Sequence, residues 1–76
     1  MSKLSICDSD TMIKILLFLN FKEIRQKVSH KFFKNKDGLT TVIPYHNEDL
    51  GRGLIRKILK DIDISIEEYE KLKKEI

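Results

Sequence analysis

The sequence predicts an α+β fold ordered α-β-β-β-α(-α), in which a three-stranded antiparallel sheet carries helices on one face. Three observations predict it. Apolar residues recur at helical spacing in two places, at Met12, Ile15, Leu16 and Leu19 and again at Leu54, Ile55, Ile58, Leu59 and Ile62. Between those stretches, residues 21–45 break into short runs with β character. Asn35-Lys36-Asp37-Gly38 then supplies a hairpin signal, because Asp-Gly accepts the positive φ angles that a tight turn requires.

Taken in order, Ser9 or Asp10 is positioned to cap the first helix, and Asn20 to end it. Strands are expected at about residues 22–27, 29–34 and 39–45, the last holding Thr40-Thr41-Val42-Ile43 and closed by Pro44. A two-residue turn at Asp37-Gly38 sets cross-strand partners that place His30 opposite Tyr45, Phe32 opposite Ile43 and Lys34 opposite Thr41. One face must pack on the helices, so one of Phe32 and Phe33 stays outside, and a one-residue bulge would exchange them. After a loop over residues 46–53 comes the second helix, with Arg56, Lys57 and Lys60 off its apolar stripe. Ser65-Ile66-Glu67-Glu68 is a capping box for a short third helix through Tyr69 and Leu72. This element order has the outline of a double-stranded-RNA-binding-like fold, which by itself assigns no function.

At 76 residues the chain is expected to be one domain, 1–76, with a short lead at 1–8 and an acidic C-terminal helix at 65–76. Such a domain buries roughly 60% of its unfolded surface and is stable by about 3–5 kcal/mol. The formal net charge of +3 conceals an asymmetry. Residues 1–60 carry 12 Lys and Arg against 6 Asp and Glu, whereas residues 61–76 carry 3 against 6. A basic body favours a polyanionic ligand, although a solvated lysine-rich surface produces the same count. The lone Cys7 excludes an internal disulfide and points to a reducing cytoplasm. No Cys/His cluster has metal-ligand spacing, so neither a metal site nor a cofactor is expected. The apolar run over residues 13–19 is far short of a membrane span and is broken by Lys14, so no membrane association is expected.

His30 carries the functional argument. It sits in Ser29-His30-Lys31-Phe32-Phe33-Lys34, with Arg25 and Lys27 just upstream. Imidazole takes and returns a proton near neutral pH, the cations meet phosphates, and aromatic rings offer faces to bases. That is equipment for gripping or cutting RNA. On residue types alone, a strand histidine beside phenylalanines is more readily structural than catalytic. Arg56, Lys57 and Lys60 read equally as a phosphate-facing ridge or as the wet side of a helix. His46 reads as a capping or solvated loop residue, Ser29 as a turn residue rather than a nucleophile, and Tyr45 as packing or stacking. Cys7 reads as filler.

From about Thr11 to Leu72 the chain resembles HicA, the small toxin of a bacterial and archaeal toxin–antitoxin pair. The matching pieces are Arg25-Gln26-Lys27-Val28-Ser29-His30, the Asp37-Gly38 turn and Val42-Ile43-Pro44-Tyr45-His46, followed by Gly53-Leu54-Ile55-Arg56-Lys57-Ile58-Leu59 and Ile64-Ser65-Ile66-Glu67-Glu68-Tyr69. The resemblance implies an mRNA interferase, a ribonuclease that stops translation until a HicB-type antitoxin covers it in a hetero-oligomer. The family's catalytic histidine lies in a Gly-Ser-His motif, and His30 matches that position. Val28 stands where the family usually has glycine, and Leu54 where a polar residue often follows the helix-opening glycine. Valine lacks glycine's freedom, so the turn before His30 is expected to differ.

A histidine base suits attack by the RNA's own 2′-hydroxyl on the adjacent phosphate, leaving a 2′,3′-cyclic phosphate. Imidazole's unperturbed pKa is about 6.5, and general-base help is typically worth about 10²–10⁴ in rate. Arg25, Lys27 and Lys31 are the candidates to stabilise the phosphorane, and Lys34, Arg56, Lys57 and Lys60 to extend the RNA-binding surface. His46 is an option for the leaving-group acid, although the register above sets it on the opposite parity. Two other readings remain: a non-catalytic RNA-binding module of the same fold, and a protein-interaction domain whose basic sheet docks an acidic partner.

Overall fold

A computed structural model of the chain describes residues 4–46 and 48–76. The elements run β1 (Cys7–Asp8), α1 (Ser9–Phe18), β2 (Lys22–Lys27), β3 (His30–Lys34), β4 (Thr40–Pro44), β5 (Asp49–Leu50), α2 (Arg52–Asp61) and α3 (Ile66–Glu75). β2, β3 and β4 form an antiparallel sheet in that order. The expected α+β architecture is present, with one addition: β1 pairs with β5, Cys7 opposite Leu50 and Asp8 opposite Asp49. Residues 1–3 of the expected lead and Asn47 of the expected loop lie outside the described residues. Among the described residues, no helix is long and apolar enough to cross a membrane.

The helix ends follow from local chemistry. The cap of α1 is Asp8 rather than Ser9 or Asp10, its Oδ1 accepting the Thr11 N–H at 2.9 Å. Hydrogen bonds from Thr11 hold the Asp8 carboxyl below the usual carboxylate range. Ser9 is buried inside the first turn and donates its hydroxyl to the Pro44 carbonyl at 2.7 Å, tying α1 to β4. Asn20, at φ +69°, closes α1 in a Schellman motif, with the Phe21 N–H on the Leu16 carbonyl at 2.9 Å. Asp63, at φ +61°, closes α2 in the same way, with the Ile64 N–H on the Leu59 carbonyl at 3.1 Å. α2 begins at Arg52 with Gly51 as its cap, two residues earlier than the expected start after Gly53. The Ser65 hydroxyl accepts the Glu68 N–H at 3.0 Å and starts α3 as its capping signature requires.

The core lies between one face of the sheet and the helices. Met12, Ile15 and Leu16 of α1, Ile55, Ile58 and Leu59 of α2, and Tyr69 and Leu72 of α3 bury against Phe33 and Ile43. Leu19 and Leu54 pack at its margin. The Thr41 hydroxyl donates to Asp61 Oδ2 at 3.1 Å, so its buried oxygen is satisfied while α2 is fastened to β4.

The β3–β4 connection differs from the expected two-residue turn. Lys34 pairs with Thr40, and the Asn35 N–H bonds the Leu39 carbonyl at 3.0 Å, leaving a three-residue loop over 36–38 with Gly38 at φ +88°. Asn35 Oδ1 shapes that loop by accepting the N–H groups of Asp37 and Leu39. The register moves by one residue in consequence. His30 lies opposite Pro44, Lys31 opposite Ile43, Phe32 opposite Val42 and Phe33 opposite Thr41. Phe33 is therefore the buried ring and Phe32 the outer one.

The acidic C-terminal helix folds onto the domain and clamps its N-terminal segment. Tyr69 donates its hydroxyl to the Ser5 carbonyl at 2.8 Å. The Glu70 carboxylate accepts the Ser5 N–H at 2.7 Å and its hydroxyl at 2.8 Å. Lys73 Nζ donates to Ser5 Oγ at 2.7 Å and to the Ile6 carbonyl at 2.9 Å. Leu4 and Cys7 are buried beneath this clamp, where burial pushes up both the Cys7 thiol and the Tyr69 hydroxyl.

Candidate functional site

The site is built on the β2–β3 hairpin. Lys27 pairs with His30, which leaves Val28 and Ser29 as a two-residue connection. Val28 takes φ +57° and is 86% exposed. Valine thus occupies the left-handed conformation that glycine would adopt freely. The cost to an L-residue is about 1–2 kcal/mol, because Cβ crowds the following carbonyl. The Ser29 carbonyl accepts the Tyr45 N–H at 2.6 Å, which carries the β3–β4 pairing one step past His30. Ser29 thus serves the turn, and His30 begins β3 with its ring exposed.

Side chains directly opposite one another across a ladder share a face. On the face away from the helices, β2 and β3 contribute three rungs: Lys27 with His30, Arg25 with Phe32, and Lys22 with Lys34. The middle rung is a stack, the Arg25 guanidinium carbon lying 4.5 Å from the Phe32 ring centroid. A β-bulge between Glu23 and Arg25 sorts the charges. Strict alternation would set Glu23 beside Arg25 and Lys27. The extra residue, Ile24, turns Glu23 to the other face and brings Lys22 onto this one. Among the described residues no ion pair reaches Lys22, Arg25, Lys27 or Lys34. The outer face therefore presents four uncompensated cations around one imidazole and one aromatic ring. Lys22 belongs to this set and escapes a sequence reading, because the bulge that places it there has no sequence signal of its own.

Not all the expected residues gather there. Lys31 points to the helix side of the sheet, where it pairs with Glu23 at 3.4 Å and lies 4.7 Å from the Tyr45 ring centroid. Tyr45 thus receives a cation while remaining 43% exposed. Arg56, Lys57 and Lys60 are exposed on α2, whose apolar stripe packs on the inner side of the sheet. The structure does not bring them together with His30, and Lys57 is also paired with Asp61 at 3.2 Å. The shifted register gives His46 the parity of His30, but β4 ends at Pro44 and His46 Nδ1 accepts the Glu48 N–H at 3.2 Å. Among the described residues, no three His, Cys, Asp or Glu side chains group to hold a metal ion.

Chemically, this face offers cations for an anionic ligand beside an exposed imidazole. No curated protein matches the chain. The family model described as HicA toxin of bacterial toxin-antitoxin matches residues 9–64, which span α1 to the end of α2 and include the whole sheet.

Proposed function

The chain belongs to the HicA toxin family of bacterial toxin–antitoxin pairs, and from that premise we propose that it is an endoribonuclease acting on mRNA without a metal ion, with His30 as general acid and base. A HicB-type antitoxin is its neutralising partner in this reading, and the cytoplasm its site of action. The observation that carries the proposal is the outer face itself, an exposed imidazole at one end of a row of cations that form no ion pair among the described residues.

Neutral His30 removes the 2′-OH proton as that oxygen attacks the neighbouring phosphorus. The P–O5′ bond breaks, the 5′ oxygen takes up the proton that His30 has gained and leaves as a hydroxyl, and the upstream fragment ends in a 2′,3′-cyclic phosphate, with His30 neutral again. In this reading Lys27 and Arg25 stabilise charge on the phosphorane, which is supported by Lys27 lying directly across from His30 and Arg25 one rung further. DNA lacks the nucleophile and remains uncut. An antitoxin that presents carboxylates to the same face would neutralise the toxin by covering imidazole and cations together.

The test is incubation of the wild-type chain and a His30→Ala variant with a long RNA in EDTA, followed by analysis of the fragment ends. Cleavage by wild type alone, with cyclic phosphate ends, is the expected result. RNA that is bound but left intact by the wild-type protein would make the chain a binding module instead. Neglect of RNA even at low salt would leave only the protein-interaction reading.

A further inference from the structure

The row of rungs does not stop at Lys34. Beyond it lies a cleft of about 480 Å³, lined by Asn20, Lys22, Ile24, Lys34, Asn35 and Lys36. Three elements meet there: the Schellman end of α1, the bulged start of β2, and the entry to the 36–38 loop. None of the three lysines is in an ion pair among the described residues. Ile24, the bulged residue, is 56% exposed and supplies apolar surface between them. Asn35 accepts two loop N–H groups with Oδ1, which fixes its orientation and leaves its amide NH₂ as a donor.

We propose that this cleft is a second subsite for single-stranded RNA, taking a nucleotide a few positions from the one whose phosphate His30 attacks. The inference rests on the ribonuclease reading above and extends it. Cations for the phosphodiester, apolar surface for a base and amides for its polar edge are the three kinds of contact such a nucleotide needs. Lys34 is four residues from His30 along β3, a span of about 13 Å at roughly 3.3 Å per residue. Between the two ends lies the Arg25–Phe32 stack, so the cleft and the imidazole form one continuous track. An acidic protein segment would also find the lysines, but it would not use the apolar floor and amides.

The experiment uses the full chain carrying His30→Ala, so that RNA stays intact, and a fluorescein-labelled oligouridylate as the probe. Lys22→Glu with Lys36→Glu should weaken binding by about tenfold or more and reduce the slope of log K against log salt by about 0.7 per lost phosphate contact. Lys71→Glu with Lys74→Glu on α3 makes the same change in net charge and should bind as the parent does. The side-chain amide resonances of Asn20 and Asn35 should shift when the oligouridylate is added. Equal binding by the two double variants, or amide resonances that move with polyglutamate and not with RNA, would overturn the subsite. If the wild-type chain leaves RNA uncut while the cleft variants still lose affinity, the nuclease reading fails and the subsite stands.

Discussion

Phe32 and Phe33 are neighbours in sequence and opposites in environment. Phe33 is 1% exposed and sits in the core with Ile43 and residues of all three long helices, whereas Phe32 faces outward under the Arg25 guanidinium. The same alternation holds across the sheet. The inner face, Phe33, Thr41 and Ile43, is buried, and the outer face carries His30, Lys34, Arg25 and Lys27. A strand with period two assigns alternate residues to stability and to chemistry. Adjacent substitutions should therefore separate folding from activity.

The largest effect tests the inner face. Phe33→Ala should cost about 3–5 kcal/mol, as much as a domain of this size has to lose. Circular dichroism should show a largely unfolded chain. His30→Ala, three residues away on the outer face, should lower RNA cleavage by about 10²–10⁴, while denaturant unfolding moves by no more than about 0.5 kcal/mol. A His30→Ala protein that still cleaved RNA would break the division between the faces. Val28→Gly should stabilise the chain by about 1 kcal/mol in the same unfolding assay, because glycine relieves the left-handed strain at the turn.

The smallest effect concerns neither face. The Ser5 backbone N–H holds the Glu70 carboxyl below its ordinary value of 4.5. Its folded form therefore binds the proton less readily than the unfolded chain does, so this contribution is whole above about pH 4.5 and disappears as the pH falls through the lowered value. Thermal unfolding of wild type and Glu70→Gln should accordingly differ at neutral pH and converge in acid.

Much of this arrangement is legible in the residues. Helical spacing at Met12, Ile15 and Leu16 and at Ile55, Ile58 and Leu59 marks two of the three helices, and Ser65 with Glu68 marks the third. His30, Arg25, Lys27 and Lys34 are visible as a basic and aromatic strand pair. What escapes is set by single residues of backbone. Asn35 turns a two-residue hairpin into a three-residue loop through its own side chain, and that one step decides which β4 residues share the face of His30. The bulge at Ile24 likewise decides that Lys22 joins the cationic face and Glu23 leaves it. The β1–β5 ladder is two residues a side and joins segments about forty residues apart, too short for any periodicity to announce it. Lys31 is the counterexample to proximity in sequence: adjacent to His30, it is on the other side of the sheet.

β2 is also one of the two edge strands of the three-stranded sheet, with one row of its backbone groups unpaired by a neighbouring strand among the described residues. An open edge of that kind is a template on which a second chain can add itself, and lysines and bulges are the ordinary means by which proteins keep it unoccupied. Lys22, Lys27 and the irregularity at Ile24 are devices of that kind, and they stand on the same strand to which RNA binding is proposed. Replacing those lysines with neutral residues to abolish RNA binding would also unguard the edge. Precipitation of such variants would report the loss of that guard and nothing about RNA.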